Sequence, residues 1–301
     1  MTGTDQVNID VSLVRKLIAT QFPDWAGLEI RPVEHGGWDN RSFHLGDHML
    51  LRLPSAQCYV EQVEKEQYWL PKLAPYLPLL IPVPLAIGKP GEGYPWYWSV
   101  NQWINGNTAT IESIENMTEF ATSLAAFLTA LHKVDTTGGP TAGEHNFHRG
   151  GRLATYDSET HQATAILGKR IDVHAVKKVW KEALSTTWQL PPVWVHGDVA
   201  AGNLLVEKGK LSAVIDFGQL GIGDPACDLV IAWTMFKGES RKAFQAALLL
   251  DRATWARARG WALWKALIVC AELAGTNPQN IEISWKVMNE VLADYAKDNQ
   301  I

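Results

Sequence analysis

The chain has 301 residues, enough for one large domain or two lobes of ordinary size. Its 47% hydrophobic and 20% charged residues are the composition of a globular chain rather than a disordered one. With 27 Lys and Arg against 32 Asp and Glu the net charge is −5, which argues against a nucleic-acid binder working through a broad basic face. The three cysteines, Cys58, Cys227 and Cys270, lie far apart and form no Cys-x-x-Cys pair. Neither a disulfide framework nor a zinc knuckle is indicated, and a reducing cytoplasm is the expected compartment. The opening MTGTDQVNID lacks the basic start and apolar core of a secretion signal.

Taken in chain order, Leu28 to Val33 and Ser42 to Leu45 read as strands around a turn-rich stretch, His35 to Asn40. His48 to Leu53 is a strand with Met49, Leu51 and Leu53 on one face and Leu50 and Arg52 on the other. Val60 to Leu70 reads as a helix with Glu61, Glu64, Lys65 and Glu66 on its wet side. The apolar stretch Leu73 to Gly88 is too short to cross a bilayer and contains four prolines, so it is expected to be a connection inside the fold, with no membrane partner. Tyr97 to Ile104 is a further strand, ending at the turn signal Asn105-Gly106-Asn107.

Beyond residue 104 the pattern becomes helical. Asn116 followed by Glu119 predicts a helix start, and Leu124, Phe127, Leu128 and Leu131 recur at helical spacing. Thr136 to Gly151 reads as a loop, 152–189 as one or two helices, and Trp194 to Phe217 as strand again. Helices resume near 226, where Leu263, Leu267, Cys270 and Ala274 form an apolar stripe. The predicted class is α+β: a small β-rich lobe with one helix (1–104) and a larger, mainly helical lobe (105–301) with a helical insertion at about 138–190.

The chemistry concentrates between Val195 and Leu229. His196-Gly197-Asp198 is followed by Asn203 and then by Ile215-Asp216-Phe217-Gly218. The intervening segment reads as a hairpin turning at Lys208-Gly209. A two-residue loop sets Glu207 opposite Lys210 and Asn203 opposite Val214. Asp216 is then two positions past Asn203's partner and on its face. Two carboxylates and an amide converge, a set of hard oxygens that suits Mg²⁺.

Asp-x4-Asn, a hairpin and Asp-Phe-Gly resemble the catalytic loop and metal site of protein kinases. The fuller string, His-Gly-Asp-x4-Asn, Ile-Asp-Phe-Gly and Gly-Asp-Pro-Ala-Cys-Asp-Leu (223–229), resembles the aminoglycoside phosphotransferase family over most of the chain. The resemblance implies a bilobed kinase-like fold and a cytoplasmic enzyme using Mg²⁺ and ATP, or GTP, to phosphorylate a hydroxyl. The implied acceptor is an aminoglycoside or a related amino sugar or amino alcohol. It makes Asp198 the catalytic base or hydroxyl-positioning residue, and Asn203 and Asp216 the metal ligands.

In the small lobe it points to a phosphate-facing turn at Gly36 to Ser42, with Gly37, Asn40 and Ser42 as candidates. Arg52 stands where the family carries lysine, with Glu66, or alternatively Glu64, as its helix partner. The backbone of Gln102 and Ile104 falls where kinases bind adenine. His196 is expected to be structural, Asp224 and Asp228 to brace the catalytic segment, and Asp228 also to cap the helix that starts near Leu229. The competing readings are a nucleotide-binding regulatory module, favoured only by Arg52, a kinase of a macrolide or other metabolite, and a tryptophan-rich sugar binder; the chain has 14 Trp. The acidic residues that would meet a polycation are Asp157, Glu159, Glu272, Glu282, Glu290 and Asp294.

Overall fold

The computed structural model describes residues 8–34, 39–274 and 277–298. Helix α1 (Val11–Gln21) starts where Asp10 accepts from the Leu13 amide at 2.9 Å. Strands β1 (Ile30–Pro32), β2 (Asn40–Leu45) and β3 (Met49–Pro54) precede helix α2 (Val60–Leu73). Strands β4 (Pro84–Gly88) and β5 (Trp98–Gln102) complete an antiparallel sheet in the order β1-β2-β3-β5-β4. Its apolar face packs Phe43, Leu45, Leu51, Leu53, Trp98 and Val100 against Val14, Leu17 and Ile18 of α1.

Residues 103–106 lead to β6 (Asn107–Thr108), which pairs with a strand of the second lobe. Helix α3 (Met117–Lys133) is capped by Asn116, which accepts from Thr118 and Glu119, as the sequence predicts. The segment 152–189 forms two helices, α4 (Asp157–Leu167) and α5 (Val173–Leu184). Strand β7 (Val193–Val195), the hairpin β8 (Leu204–Glu207) and β9 (Lys210–Val214), and β10 (Gly221–Gly223) frame the residues singled out above. The hairpin turns at Lys208 and Gly209, both with positive φ (52° and 76°), which explains a glycine there. Helices α6 (Ile231–Thr234), α7 (Gly238–Leu248), α8 (Arg252–Cys270) and α9 (Pro278–Asp298) close the lobe.

The result is the bilobed, kinase-like α+β architecture the sequence predicts. Two cores sustain it. The larger gathers α3, α5, α8, α9 and the hairpin, and it also takes in Leu70 and Leu73 of α2 and Ile81 beyond it. The apolar stretch after α2 is an internal connection: Leu80 bonds both Ser212 and Val214 beside β9. Helix α8 runs through the larger core, and Arg257 and Arg259 on it are paired with Asp224 and with Asp294 and Asp298. Among the described residues no helix is long and apolar enough to cross a membrane, and all three cysteines are free.

Not every polar group in the core is paired. Among the described residues, none pairs with the buried Nε2 of His132, in the last turn of α3. A helix C-terminus favours a cation by up to about 1 kcal/mol, but burial wins and lowers the imidazole to about 4 from its ordinary 6.5. Between those values the unfolded chain holds a proton that the folded chain lacks, so acid costs stability there. The unfolding free energy is expected to fall as pH drops from about 6.5 toward 4. The fall should be shallower in His132→Leu, as checked by urea unfolding across that window.

Candidate active site

Arg52 lies on β3, opposite Ser42 of β2 and Ser99 of β5. Strand alternation sends Leu51 and Leu53 into the core of the small lobe and Arg52 to the other face. There its Nη1 donates to both oxygens of Glu66, at 3.0 and 2.9 Å, and its Nη2 donates to Oδ1 of Asp216 at 2.6 Å. Arg52 is 8% exposed and Glu66 4%. Burial opposes the arginine's charge, but Glu66 and Asp216 outweigh it and hold the guanidinium more firmly protonated than a free arginine. Glu64, the alternative partner, is exposed. One guanidinium fork thus joins β3, α2 and the loop after β9.

The loop carrying Asp198 is held from behind. Asp228, fully buried, accepts the backbone amides of His196 and Gly197, both at 2.7 Å. Burial raises its carboxyl above the usual range, against the pull of His196 and those amides. The side chain of His196 donates from Nε2 to the carbonyl of Ile215 at 3.0 Å, and its Nδ1 accepts from the Asp198 amide at 3.2 Å. His196 is therefore a tie between the Asp198 loop and the residue before Asp216, in keeping with a structural role. Gly197 has φ +86°, and a Cβ there would come within 2.4 Å of the Gln219 carbonyl, so this position requires glycine. The helix cap expected at Asp228 falls instead to Asp224. Asp224, paired with Arg257, caps the short helical segment by accepting from Ala226, while Asp228 holds the loop.

Asn203 donates from Nδ2 to the carbonyl and to Oδ2 of Asp198, at 2.9 and 3.2 Å. Its place differs from the expected register. A bulge at Ser212 puts Leu204, not Asn203, opposite Val214. The extra residue is stabilised by its own hydroxyl, which donates to the Leu205 carbonyl at 3.1 Å. Asn203 instead accepts the Ile215 amide through its backbone carbonyl at 2.9 Å. Asp216 then leaves the strand with φ +65°, so its direction comes from the backbone turn and not from strand alternation. Among the described residues, Oδ1 of Asn203 and Oδ2 of Asp216 accept no hydrogen bond, which leaves two hard oxygens available to an ion.

Gly37, with Gly36 and Trp38, lies outside the described residues. Asn40 and Ser42 fall in β2, paired with Pro54 and Arg52, rather than in a turn. The Gln102 amide is committed to the Val83 carbonyl at 2.8 Å, and Ile104 lies in the link from β5 to β6. Sequence reasoning missed Asp39 as a charged site residue. It accepts from Gln62 of α2 at 3.2 Å, and burial raises its carboxyl, helped by the charges of Asp216 and Asp198. It also missed the loop 143–151. There buried Asn146 donates to the carbonyls of Arg149 and Gln219, and Arg149 donates to the Gln219 side chain at 3.1 Å. Lys65 beside Glu66 contacts His145 of this loop at 3.2 Å. The only sequence signal was the run of glycines and the His-x-x-His pair. Among the described residues no group of three His, Cys, Asp or Glu side chains is placed to hold a metal. A cavity of about 970 Å³ lies against another face of α2, lined by Tyr68, Trp69, Lys72 and Lys133, and contains none of these site residues.

A β-sheet lobe that delivers a cation and a helix carboxylate to an Asp-Asn-Asp constellation in a helical lobe defines the kinase-like class of phosphotransfer folds. Within that class, residues 29–261 match the model of the phosphotransferase enzyme family, and the chain belongs to it. It is 31% identical over 158 residues to an aminoglycoside 3'-phosphotransferase of Escherichia coli, covering 50% of this chain and 56% of that protein. The chain thus spans about half the length of the curated relatives it matches. In fold it is similar to APH(2")-IIIa, solved with GDP and kanamycin (TM-score 0.71, 17% identity, 94% of this chain and 98% of that one). It is also similar to macrolide 2'-phosphotransferase MphH from Brachybacterium faecium (TM-score 0.61, 21% identity, 93% and 98%).

Removing the guanidinium would strand two carboxylates. Arg52→Met is expected to destabilise the fold by about 3 kcal/mol. Arg52→Lys should cost less, because an ammonium keeps the charge but lacks the fork that serves both partners. Urea unfolding at neutral pH measures both.

Proposed function

We propose that this protein transfers the γ-phosphate of a nucleoside triphosphate, ATP or GTP, to a hydroxyl group of a small molecule. The observation that carries this reading is the meeting of two sets of groups. Asp198 with Asn203 comes from one lobe, and Arg52 with Glu66 comes from the other and reaches Asp216. Aminoglycosides and a macrolide, the acceptors named for relatives and for proteins of the same fold, are the first acceptors to test. The free thiols, and the triphosphate the reaction consumes, fit a cytoplasmic setting.

In this reading the unbonded oxygens of Asn203 and Asp216 would hold Mg²⁺, which would offset the charge of the transferring group. Arg52 fixes one oxygen of Asp216, so the other is presented in a single direction. Its guanidinium charge lies where phosphate oxygens gather. Asn203, by donating to Oδ2 of Asp198, fixes the carboxylate so that Oδ1 faces the acceptor hydroxyl. Asp198 orients that hydroxyl for in-line attack and accepts its proton late. Backbone groups in 102–104 would meet the base, with the Gln102 and Trp103 amides already spent on the Val83 and His48 carbonyls.

Asp198→Asn keeps the size of the side chain and removes the base. It is expected to lower acceptor-stimulated ADP release by about 10²–10⁴-fold while nucleotide affinity stays within about threefold. Coupled-enzyme assays over a panel of aminoglycosides, a macrolide, amino alcohols and amino sugars, paired with calorimetry of Mg²⁺·nucleotide binding, check this. Tight nucleotide binding without turnover on any acceptor would favour the regulatory-module reading instead.

A further inference from the structure

A lobe that receives a polycation should offer unpaired carboxylates, and five of the six acids singled out for that role are already engaged. Glu290 binds Arg241 at 2.6 Å. Asp294 is shared by Arg241 at 3.1 Å, Arg259 at 3.2 Å and the Trp233 indole at 2.8 Å. Glu282 is paired with Lys286 at 2.6 Å on the surface of α9. Asp157 and Glu159 accept the indole N–H groups of Trp180 and Trp264, at 2.7 and 2.9 Å. Glu272 alone of the six has no such partner. It lies seven residues beyond Lys265, past the C-terminal end of α8.

The charge that α8 does present has the opposite sign. From Thr254 to Cys270 the helix is buried or half-buried at every position except Lys265. No carboxylate among the described residues pairs with Lys265, in contrast to Arg257 and Arg259 on the same helix. Its surroundings lead back to the site. Trp261 and Trp264 of α8 pack under the guanidinium of Arg149, at 5.0 and 5.2 Å. Arg149 binds Gln219, and the Gln219 carbonyl abuts Gly197, next to Asp198. Arg149 is nearly buried, and among the described residues its Nη1 has no hydrogen-bond partner. The ionisable groups whose fields reach Lys265 are Asp198, Glu159 and Arg149. Burial first, and then Arg149, lowers its ammonium below the ordinary lysine value. Lys265, four residues after Trp261, lies on the same face of α8 and is exposed to water.

We infer that Lys265 is the acceptor-reading residue of this site, and that the acceptor turns an oxygen-rich face without an ammonium group toward α8. A carboxylate, carbonyl or second hydroxyl beside the reacting hydroxyl accepts from Nζ of Lys265. This rests on the phosphotransfer reading and narrows its acceptor to a hydroxyl compound that is anionic or uncharged on that side.

The test uses matched acceptors that differ in one group, such as a hexose, its amino sugar and its uronic acid, with kanamycin and a macrolide beside them. Calorimetric binding to the nucleotide-loaded protein is measured alongside turnover. The wild type should favour the uronic acid or the neutral compound over the amino sugar by about tenfold or more, the worth of one charge-assisted hydrogen bond. Lys265→Arg should keep that order. Lys265→Glu should reverse it, with the change in KM and Kd rather than in kcat. Ammonium-bearing acceptors preferred by the wild type, or an order unchanged in Lys265→Glu, would overturn the inference while leaving phosphotransfer intact. Acceptor binding that follows the predicted order without turnover would support the inference and count against the reaction.

Discussion

A buried guanidinium must be offset by anionic partners, and at Arg52 those partners come from two separate elements. Glu66 is supplied by α2 and Asp216 by the loop after β9, while the arginine itself hangs from the sheet. The geometry of the cleft follows from this requirement. Helix α2 cannot move away from the sheet without stranding Glu66, and the Asp216 loop cannot swing without breaking a 2.6 Å contact. The same helix packs Val60 against the small lobe's core and Leu70 and Leu73 into that of the large lobe. The ion pair therefore sits on an element both lobes already hold.

The opposite wall is fixed by hydrogen bonds to a buried acid. Asp228 gathers two backbone amides, and His196 ties the Asp198 loop to Ile215, so Asp198 and Asp216 are positioned by one network from two directions. The loop 143–151 closes the third side. Phe147 and His148 both adopt the left-handed conformation there, a costly arrangement that the buried Asn146 network sustains. The arginines of α7 and α8 neutralise the acids of α9. The helical lobe is thereby held together by internal ion pairs and carries fewer free carboxylates than its composition suggests.

Much of this was legible in the sequence because it is local. The string from His196 to Leu229, the Asn116 cap and the stripe on α8 follow from residue type and spacing, and the Arg52–Glu66 pairing was implied by the family resemblance. What escaped the reading was set by contacts distant in sequence or by one inserted residue. The Ser212 bulge shifts the hairpin by one position and depends on a hydroxyl bonding across the strands. Asp39 looked like a turn residue, and only the approach of α2 and the Asp216 loop makes it part of the site. The acids proposed for a cationic acceptor were counted correctly but could not be paired with Arg241 and Arg259 before the helices were assembled.

If Asp216 holds a metal ion as proposed, the Arg52 fork sets which of its oxygens is offered. Glu66 has both oxygens on Arg52, so it reports on the fork alone. The most direct measurement is Mn²⁺ binding, followed by electron paramagnetic resonance in the presence of a non-hydrolysable ATP analogue, for the wild type and for Glu66→Gln. The account predicts that Glu66→Gln weakens Mn²⁺ binding by about tenfold or more, the effect of one lost charge-assisted contact, with the fold intact by circular dichroism. Equal Mn²⁺ affinity in the two proteins would contradict it.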